Sequence, residues 1–317
     1  MSVGDTATFG VDLGGTNLRV ALVDPVGSVV DQRRVATPHT LDDIVRSIAD
    51  AVHAFSPQRP EARALGVGAA GMVDFEGTIH YSPNVPAFLH APVRARLEDA
   101  LGFPVVVDND ANVAVAAELV HGAARGSTEV LLITLGTGVG GGVVTRGEVL
   151  RGAHGFAAEI GHFQVDPAGP LCACGQRGHW EAVASGTALG ALGREWAAAG
   201  AAPSVLAGAG GAIDDITGLL VGDVAQGGAV DAVAVLEEYA RRVAIGLVGL
   251  VNIFDPEKVV VSGGLVELGD VLLQPLRAAF DGRIEGAPHR PAVPIVAAEL
   301  GGRAGVVGAA VLARELV

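Results

Sequence analysis

Four side chains that could bind one metal ion lie within 18 residues of the sequence, from His162 to His179. Between these two histidines lie Cys172 and Cys174, the only cysteines of the chain. Zinc prefers four sulfur or nitrogen ligands in a tetrahedron, and two thiolates with two imidazoles form a charge-neutral set. A Cys-x-Cys pair is too constrained for an easy disulfide, and no third cysteine offers another partner. The spacing predicts a structural zinc site, and the alternative is two buried cysteines beside two solvated histidines.

Two glycine-rich turns, Gly14 to Asn17 and Gly136 to Gly138, each join two strand-like segments and each contain a threonine. Neither is a P-loop or a dinucleotide fingerprint, because the glycines of those motifs lead from a strand into a helix. A glycine turn between strands lets backbone amides and a hydroxyl approach a phosphate closely. One such turn alone is better explained as a tight hairpin. Two copies, followed by a strand that runs into Gly263-Gly264, favour a site for a triphosphate.

The elements around these turns occur in the same order twice. Residues 9–30 predict an antiparallel meander of three strands, with turns at 14–17 and 24–27. Residues 131–150 repeat this order, with turns at 136–138 and 145–147, which indicates an internal repeat. We predict a helix capped by Thr40 with Asp43 at the capping-box position, helices over 112–119, 230–254 and 303–316, and a strand over 259–261. Meanders followed by alternating helices and strands predict an α/β chain of two similar lobes, with a ligand cleft between them.

The composition argues against several kinds of partner. The chain has 317 residues, of which 50% are hydrophobic, and a formal net charge of −14. Such acidity opposes binding to nucleic acid and to anionic lipid. The longest uncharged stretch, residues 196–213, is too weakly apolar and too broken by glycine and proline to span a membrane. The first residues lack a basic region followed by an apolar core, so we expect a cytoplasmic protein.

Three glycine motifs resemble those of a known group of enzymes. DLGGT at 12–16, LGTGVGGG at 135–142 and VSGG at 261–264 are similar to the two phosphate motifs and the adenosine motif of the actin-like sugar kinases. The resemblance implies two actin-like (ribonuclease-H-like) lobes with a ligand cleft between them. The expected small lobe is 1–110 plus 302–317, with the first phosphate turn. The expected large lobe, 111–301, holds the second phosphate turn, the zinc loop and the adenosine motif.

Three further motifs narrow the resemblance to the ROK family (repressors, open reading frames and sugar kinases), and within it to the glucokinases. They are DNDAN at 108–112, EIGH at 159–162 and CxCGxxG at 172–178. Together with the glycine motifs they cover essentially the full chain in the order of the family. The resemblance implies phosphorylation of the C6 hydroxyl of glucose, with ATP as donor and Mg²⁺ and a structural Zn²⁺ as cofactors.

A sugar kinase needs a carboxylate beside the attacking hydroxyl and cations on the phosphates. Asp110 follows a predicted strand over 104–107 and precedes a helix, so it lies at the carboxyl end of a strand, where α/β folds bind ligands. The resemblance makes Asp110 the catalytic base and Asn109 a sugar ligand. Asp108 is the rival base, but closing the strand or capping the helix explains it better. Asp12 is either a magnesium ligand through water or an acidic residue at a strand end.

The resemblance also implies which residues bind the two substrates. Taken alone, an acidic residue near Gly161 is more often a solvated side chain, but the ExxH pattern with the downstream Glu181 favours a role in binding. Sugar binding is expected of Gly71, Asn84, Asn109, Asp110, Glu159, His162 and Glu181. ATP binding is expected of Asp12, Gly14, Gly15, Thr16, Asn17, Gly136, Thr137, Gly138, Gly263 and Gly264.

The resemblance gives the zinc site a second purpose. An imidazole that binds zinc through one nitrogen presents the other as a protonated donor, and a sugar hydroxyl can accept from it. His162 would then bind both the metal and the sugar. The usual family pattern has a third cysteine where this chain has His179, which removes one thiolate charge from the site. A water molecule in place of His179 is the open alternative.

Several alternatives stay open. ROK kinases for fructose, mannose, N-acetylglucosamine or N-acetylmannosamine share these motifs, polyphosphate could replace ATP, and a non-catalytic sugar sensor is a third reading. The sugar-responsive repressors of the family carry an N-terminal helix-turn-helix extension, for which we expect no room before Asp12. We expect a small sugar as substrate, no nucleic-acid or membrane partner, and a homodimer or homotetramer.

Overall fold

A computed structural model describes residues 6–82, 85 and 87–317. The chain divides into two compact units. The first contains the residues up to Ser127, Gly142–Ala158 and Glu299–Val317, and the second contains Thr128–Gly141 and Glu159–Ala298. This division assigns residues 111–127, 142–158 and 299–301 to the first unit, whereas the sequence-based boundaries assign them to the large lobe. The lobe boundaries after 110 and after 301 stay a prediction.

The chain up to His121 alternates strands and helices. Its strands are β1 Thr8–Leu13, β2 Asn17–Val23, β3 Val29–Ala36, β4 Leu65–Ala69, β5 Met72–Val73, β6 Ile79–Tyr81 and β7 Val105–Asn109. Its helices are α1 Leu41–Phe55, α2 Val93–Leu101 and α3 Asp110–His121. The Thr40 hydroxyl accepts from the Asp43 amide at 3.2 Å, which confirms the predicted cap of α1.

The first sheet has the strand order β3-β2-β1-β4-β7, and β5 pairs separately with β6. Strands β1, β2 and β3 form the predicted antiparallel meander. Strands β4 and β7 run parallel to β1. The carboxyl ends of β1, β4 and β7 therefore meet at one edge of the sheet, where Asp12, Gly68 and Asp108 are in register.

The rest of the chain repeats this organisation. Its strands are β8 Val130–Leu135, β9 Val139–Thr145, β10 Glu148–Val149, β11 Lys258–Ser262 and β12 Ile295–Ala297. Its helices are α4 Glu181–Ala184, α5 Gly186–Ala198, α6 Pro203–Gly208, α7 Gly218–Gln226, α8 Val230–Phe254, α9 Asp270–Phe280 and α10 Ala304–Arg314. The second sheet has the order β10-β9-β8-β11-β12, and β11 runs parallel to both β8 and β12. When the five strands of each sheet are numbered along the chain, both sheets have the spatial order 3-2-1-4-5. This shared order confirms the internal repeat.

The observed elements differ from the predicted ones mainly at their ends. Strand β7 and helix α3 meet directly between Asn109 and Asp110, whereas the sequence predicts a strand end at 107 and a helix start at 112. Helix α10 is shorter than predicted at both ends, because residue 303 belongs to a separate helical turn over 301–303 and the helix ends at Arg314. Residues 196–213 belong to the end of α5, to α6 and to the loops beside them. Among the described residues, no helix has both the length and the hydropathy of a membrane span.

Candidate active site

Strand β7 and helix α3 present the two residues that the sequence assigns to base and sugar ligand. Asn109 caps α3, because its Oδ1 accepts from the amides of Ala111 at 2.8 Å and Asn112 at 3.3 Å. Its Nδ2 donates to the carbonyl oxygen of Gly71 at 3.1 Å. The cap is therefore Asn109, and the expectation that Asp108 caps this helix is wrong. Asp110 becomes the first residue of α3, with an exposed side chain.

Asp108 is buried and its carboxylate is engaged by protein donors. Its Oδ1 accepts from the amide of Asn109 at 2.7 Å and from Nδ2 of Asn112 at 2.9 Å. Its Oδ2 accepts from Nε of Arg151 at 2.7 Å. A carboxylate held in this way is poorly placed to take a proton from a substrate, which favours Asp110 over Asp108 as the candidate base.

Asp110 and Asp12 both have raised pKa values, and the charge of Asp12 contributes to the rise at Asp110. Burial raises the pKa of Asp12, and the nearby guanidinium groups of Arg19 and Arg34 partly oppose that rise. Nε of Arg19 lies 3.8 Å from Oδ2 of Asp12. The pKa of Asp110 is raised first by desolvation, although part of its side chain reaches solvent, and second by the negative charge of Asp12. Two carboxylates in such an arrangement suit both a base with raised proton affinity and the attraction of a divalent cation.

Hydrogen bonds to its backbone carbonyl oxygens hold the first glycine turn in place. The hydroxyl of Thr37 donates to the carbonyl of Gly14 at 2.6 Å, and the amide of Thr37 donates to the carbonyl of Thr16 at 3.0 Å. Oδ1 of Asn17 accepts from Nε of Arg34 at 3.0 Å. Thr16 and Gly15 remain exposed. The turn is thus held in one shape before any ligand arrives, and sequence reasoning missed Thr37, which lies outside every motif.

The second glycine turn is held in the same manner by the start of α5. The amide of Gly186 donates to the carbonyl of Gly136 at 2.7 Å, and the hydroxyl of Thr187 donates to the carbonyl of Thr137 at 2.8 Å. On the other side, Oε2 of Glu181 accepts from the amide of Val139 at 3.0 Å. In both turns a threonine hydroxyl from a later segment therefore fixes a turn carbonyl.

A cavity of about 460 Å³ opens beside the second turn, within the second unit. Its volume lies in the usual range of small-molecule sites. Its lining includes Gly136, Thr137, Gly186, Thr187, Arg194, Thr217, Gly218 and Gly264. Helices α5 and α7 both begin at this lining, and helix N-termini favour negatively charged groups. Arg194 on α5 and Thr217, the N-cap of α7, were missed by sequence reasoning, because neither lies in a motif.

The two glycines after β11 have different reasons to be glycine. Gly264 lines the cavity, and a Cβ there would meet nothing within 4 Å. Gly263 has a φ of +89°, and a Cβ there would lie 2.5 Å from the carbonyl oxygen of Leu135. Close approach of the ends of β11 and β8 therefore explains Gly263 without any ligand.

The four predicted metal ligands come together in the second unit. One ligand atom from each of His162, Cys172, Cys174 and His179 lies within 4.8 Å of the others. Sγ of Cys172 is 3.9 Å from Nδ1 of His162, and Sγ of Cys174 is 3.2 Å from Nδ1 of His179. Ligand atoms around a tetrahedral zinc ion are about 3.3–3.8 Å apart, so the donor set fits zinc after a small contraction.

A short hairpin presents the two cysteines, and the adjoining helix presents Glu181. The amide of Cys172 donates to the carbonyl of Gln176 at 2.8 Å, which closes the cysteine turn. Burial raises the pKa of the Cys172 thiol to about 11, and the neighbouring carboxylate of Glu181 adds to the rise. Sγ of Cys172 lies 3.4 Å from Oε1 of Glu181. Glu181 therefore contacts both the candidate metal centre and the second glycine turn.

Comparisons with known proteins identify the family of the chain. The sequence model of the ROK family matches residues 8–316. The chain belongs to the ROK family. Glucokinase from Streptomyces coelicolor is 40% identical over 311 residues, which are 97% of this chain and 98% of that protein. N-acetylmannosamine kinase from Escherichia coli O139:H28 is 34% identical over 310 residues, which are 97% of this chain and 98% of that protein.

One solved structure has a very similar fold. The crystal structure of a ROK family glucokinase from Streptomyces griseus in complex with glucose and AMPPNP superposes with a TM-score of 0.86 and 41% sequence identity. The match covers 98% of this chain and 99% of that chain. The predicted family and the predicted fold class, an α/β chain with two actin-like lobes, are thereby confirmed.

The remaining sugar-binding predictions for this ROK-family chain have different outcomes. Asn84 lies outside the described residues. Glu159 is exposed and lies beside the candidate metal centre in sequence, where its carbonyl accepts from the amide of His162 at 3.0 Å. Gly71 contacts Asn109 in the first unit, as described above. The roles of these residues toward a sugar stay predictions.

Proposed function

We propose that this ROK-family chain is an ATP-dependent glucokinase, which phosphorylates the C6 hydroxyl of glucose. The observation that carries the proposal is Asp110, a solvent-accessible carboxylate at the start of α3 whose pKa is raised by desolvation and by the negative charge of Asp12. A general base of raised proton affinity is what removal of a hydroxyl proton requires. The glucokinase relatives support glucose as the acceptor and ATP as the donor.

In the proposed reaction, the C6 oxygen of glucose attacks the γ-phosphorus of ATP while Asp110 takes the hydroxyl proton. A bond forms between the C6 oxygen and the γ-phosphorus, and the bond from that phosphorus to the β–γ bridging oxygen breaks. The products are glucose 6-phosphate and ADP. Mg²⁺ supplies charge neutralisation on the phosphates when it is bound, and Asp12 would hold it through water.

We assign the adenosine of ATP to the cavity beside the second glycine turn. Its volume of about 460 Å³ and its place beside Gly264 support this assignment, and the two helix N-termini at its lining would favour the phosphates attached to the adenosine. The remaining ATP contacts are proposed from the family motifs. They are Asp12, Gly14, Gly15, Thr16, Asn17, Gly138 and Gly263.

We propose that the metal is zinc and that it also serves sugar binding. The donor set of two thiols and two imidazoles, which converge in the second unit, supports zinc over a hard cation. Nδ1 of His162 faces Cys172, so Nε2 is the nitrogen that would donate to a sugar hydroxyl. Further sugar contacts are proposed for Gly71, Asn109, Glu159 and Glu181.

A second candidate function is phosphorylation of N-acetylmannosamine, which the relative of 34% identity favours. Fructose, mannose and N-acetylglucosamine as acceptors, and polyphosphate as donor, are tested in the same way. A non-catalytic sensor would bind sugar without turnover. The homodimeric or homotetrameric state and the cytoplasmic location stay predictions from the sequence.

The deciding experiment is a phosphorylation assay of the purified chain over a panel of these hexoses, with MgATP and with polyphosphate. We expect the highest kcat/KM for glucose with ATP. Asp110→Asn should lower kcat by about 10²–10⁴-fold and leave glucose binding, measured by calorimetry, largely intact. Asp99→Asn, at an exposed position of α2, is the control and should behave as wild type. Turnover of Asp110→Asn equal to wild type would exclude Asp110 as the base.

A further inference from the structure

Arg151 is the cationic partner of the buried carboxylate in the DNDAN segment. Its Nε lies 2.7 Å from Oδ2 of Asp108, and the two side chains are 30% and 7% exposed. The other oxygen of Asp108 holds the amide of Asn109 and the side chain of Asn112. One ion pair therefore restrains the backbone and side chains directly before and after Asp110.

The loop that carries Arg151 is also fixed against β5. The amide of Ala157 donates to the carbonyl of Arg151 at 3.1 Å, which closes the loop. Gly155 has a φ of +90°, and a Cβ there would lie 2.3 Å from the carbonyl oxygen of Val73. This loop can therefore approach β5 so closely only with glycine at 155.

A third contact joins β5 to the catalytic segment. Gly71 directly precedes β5, and its carbonyl accepts from Nδ2 of Asn109. Residues 71–73, 108–112 and 151–157 are thus connected in pairs by the contacts Asn109 to Gly71, Gly155 to Val73 and Arg151 to Asp108. All three segments belong to the first unit. With the Arg151–Asp108 ion pair, each segment contacts both of the others.

We propose that Arg151 is a positioning residue for the phosphoryl-transfer reaction. Its guanidinium neutralises Asp108 and thereby sets the orientation in which Asn109 and Asp110 meet the sugar. This role deepens the proposed glucokinase function and rests on it. Arg151 lies in a loop outside every motif of the chain, so only the contact with Asp108 identifies it.

The charges predict that loss of Arg151 impairs the enzyme more than loss of the charge of Asp108. Arg151→Met leaves the buried carboxylate of Asp108 without its cation, which is the costly way to break a buried pair. Asp108→Asn keeps an oxygen for the amide of Asn109, and Arg151 can turn toward solvent because it is 30% exposed. The double variant Asp108→Asn/Arg151→Met contains neither charge. It should therefore be closer to wild type than Arg151→Met alone.

The experiment compares Arg151→Met, Arg151→Lys, Asp108→Asn and the double variant. For each, kcat and the KM values for glucose and ATP are measured, with glucose affinity by calorimetry and the melting temperature as separate readouts. Arg151→Met should lower kcat/KM for glucose by about 10–100-fold, as expected for misplaced catalytic groups, with an unchanged KM for ATP. Arg151→Lys should recover most of the loss, because the cation is kept.

Arg277→Met is the matched control. Arg277 is also an arginine paired with a carboxylate, with Nε 2.9 Å from the carbonyl oxygen of Ile295 and Nη1 3.4 Å from Asp270, but it is more exposed than Arg151 and lies in the second unit on α9. Its loss should leave kcat/KM for glucose unchanged.

Three results would overturn the proposal. They are a wild-type kcat/KM for glucose in Arg151→Met, a KM for ATP that rises in this variant as much as the KM for glucose, and a double variant with a lower kcat/KM for glucose than Arg151→Met. An inactive wild-type enzyme would instead contradict the proposed function, and calorimetry with glucose would still test the positioning role.

Discussion

At the scale of residues, the three consecutive positions 108–110 show how burial separates chemically similar side chains. Asp108 is buried and paired with Arg151, and Asn109 is used as a helix cap. Asp110 keeps an exposed side chain and a raised pKa, with Asp12 as a second negative charge nearby. Hydrogen bonding and ion pairing thus engage Asp108 within the protein, which supports Asp110 as the proposed base.

The raised pKa of Asp110 predicts the pH dependence of the reaction. A general base must be deprotonated, so kcat/KM for glucose should fall as the pH decreases through this pKa, at a higher pH than for an ordinary aspartate of about 3.9. Asp12→Asn removes a negative charge that raises the pKa of Asp110. The acidic limb of the pH–rate profile should therefore move to lower pH, whatever the loss of rate. An unmoved limb in Asp12→Asn, compared with Asp99→Asn as control, would contradict this electrostatic coupling.

At the scale of elements, helix α3 is anchored at both ends. Its first turn carries the cap Asn109, and near its last turn lies Glu118, which is fully buried. Oε2 of Glu118 accepts from the amides of Ala123 at 2.7 Å and Glu299 at 3.1 Å, and Oε1 accepts from the amide of Leu300 at 2.9 Å. The carboxylate thus ties α3 to the segment that leads into α10. The position of Asp110 depends on a helix fixed in this way.

Glu118→Gln tests this anchor. The new amide group keeps the volume of the side chain but replaces one acceptor with a donor that faces a backbone N–H. Leaving a buried donor unsatisfied costs about 1–3 kcal/mol, so the free energy of unfolding should fall by that amount. Urea denaturation followed by circular dichroism measures it. Glu315→Gln, at the exposed end of the chain after α10, is the control and should unfold as wild type does. Equal stability of both variants would show that Glu118 does not anchor α3.

At the scale of the whole molecule, one strand order serves two different purposes. Each sheet has a meander whose first turn is rich in glycine and whose carbonyls are fixed by a threonine, Thr37 or Thr187. The first unit adds the carboxylates Asp12 and Asp110, and the second adds the cavity and the candidate metal centre. The repeated folding unit therefore provides two similar glycine turns, while the residues around each turn differ between the two units.

Removal of one metal ligand should be detectable in the whole chain. We expect about one zinc ion per chain by elemental analysis, and a lower zinc content and melting temperature in His179→Ala, because metal that binds the folded state stabilises it. Glucose affinity should fall with the zinc content, since zinc would orient His162. His289→Ala, at an exposed position, is the control and should match wild type. Full zinc content in His179→Ala would show that water or another group completes the site.

The sequence alone determined what depends on neighbours along the chain. Glycine turns between strands, the Cys-x-Cys pair between two histidines and the acidic residue at a strand end can be read locally, and the order of motifs indicated the family. The two meanders followed from the same patterns, because a hairpin between adjacent strands is a short-range signal, whereas the order of the later strands in each sheet came only from the structure.

Only the tertiary structure decided which distant side chains support these motifs. Arg151 meets Asp108 across 43 positions of the sequence, and Glu118 meets Glu299 across 181. Thr187 and Glu181 hold a turn that lies more than 40 positions earlier. No periodicity or spacing encodes such pairs, because each arises only when separate elements pack and bring a buried charge or a free carbonyl within reach of a partner. The chemistry is therefore visible in the motifs, and its positioning is visible only in the fold.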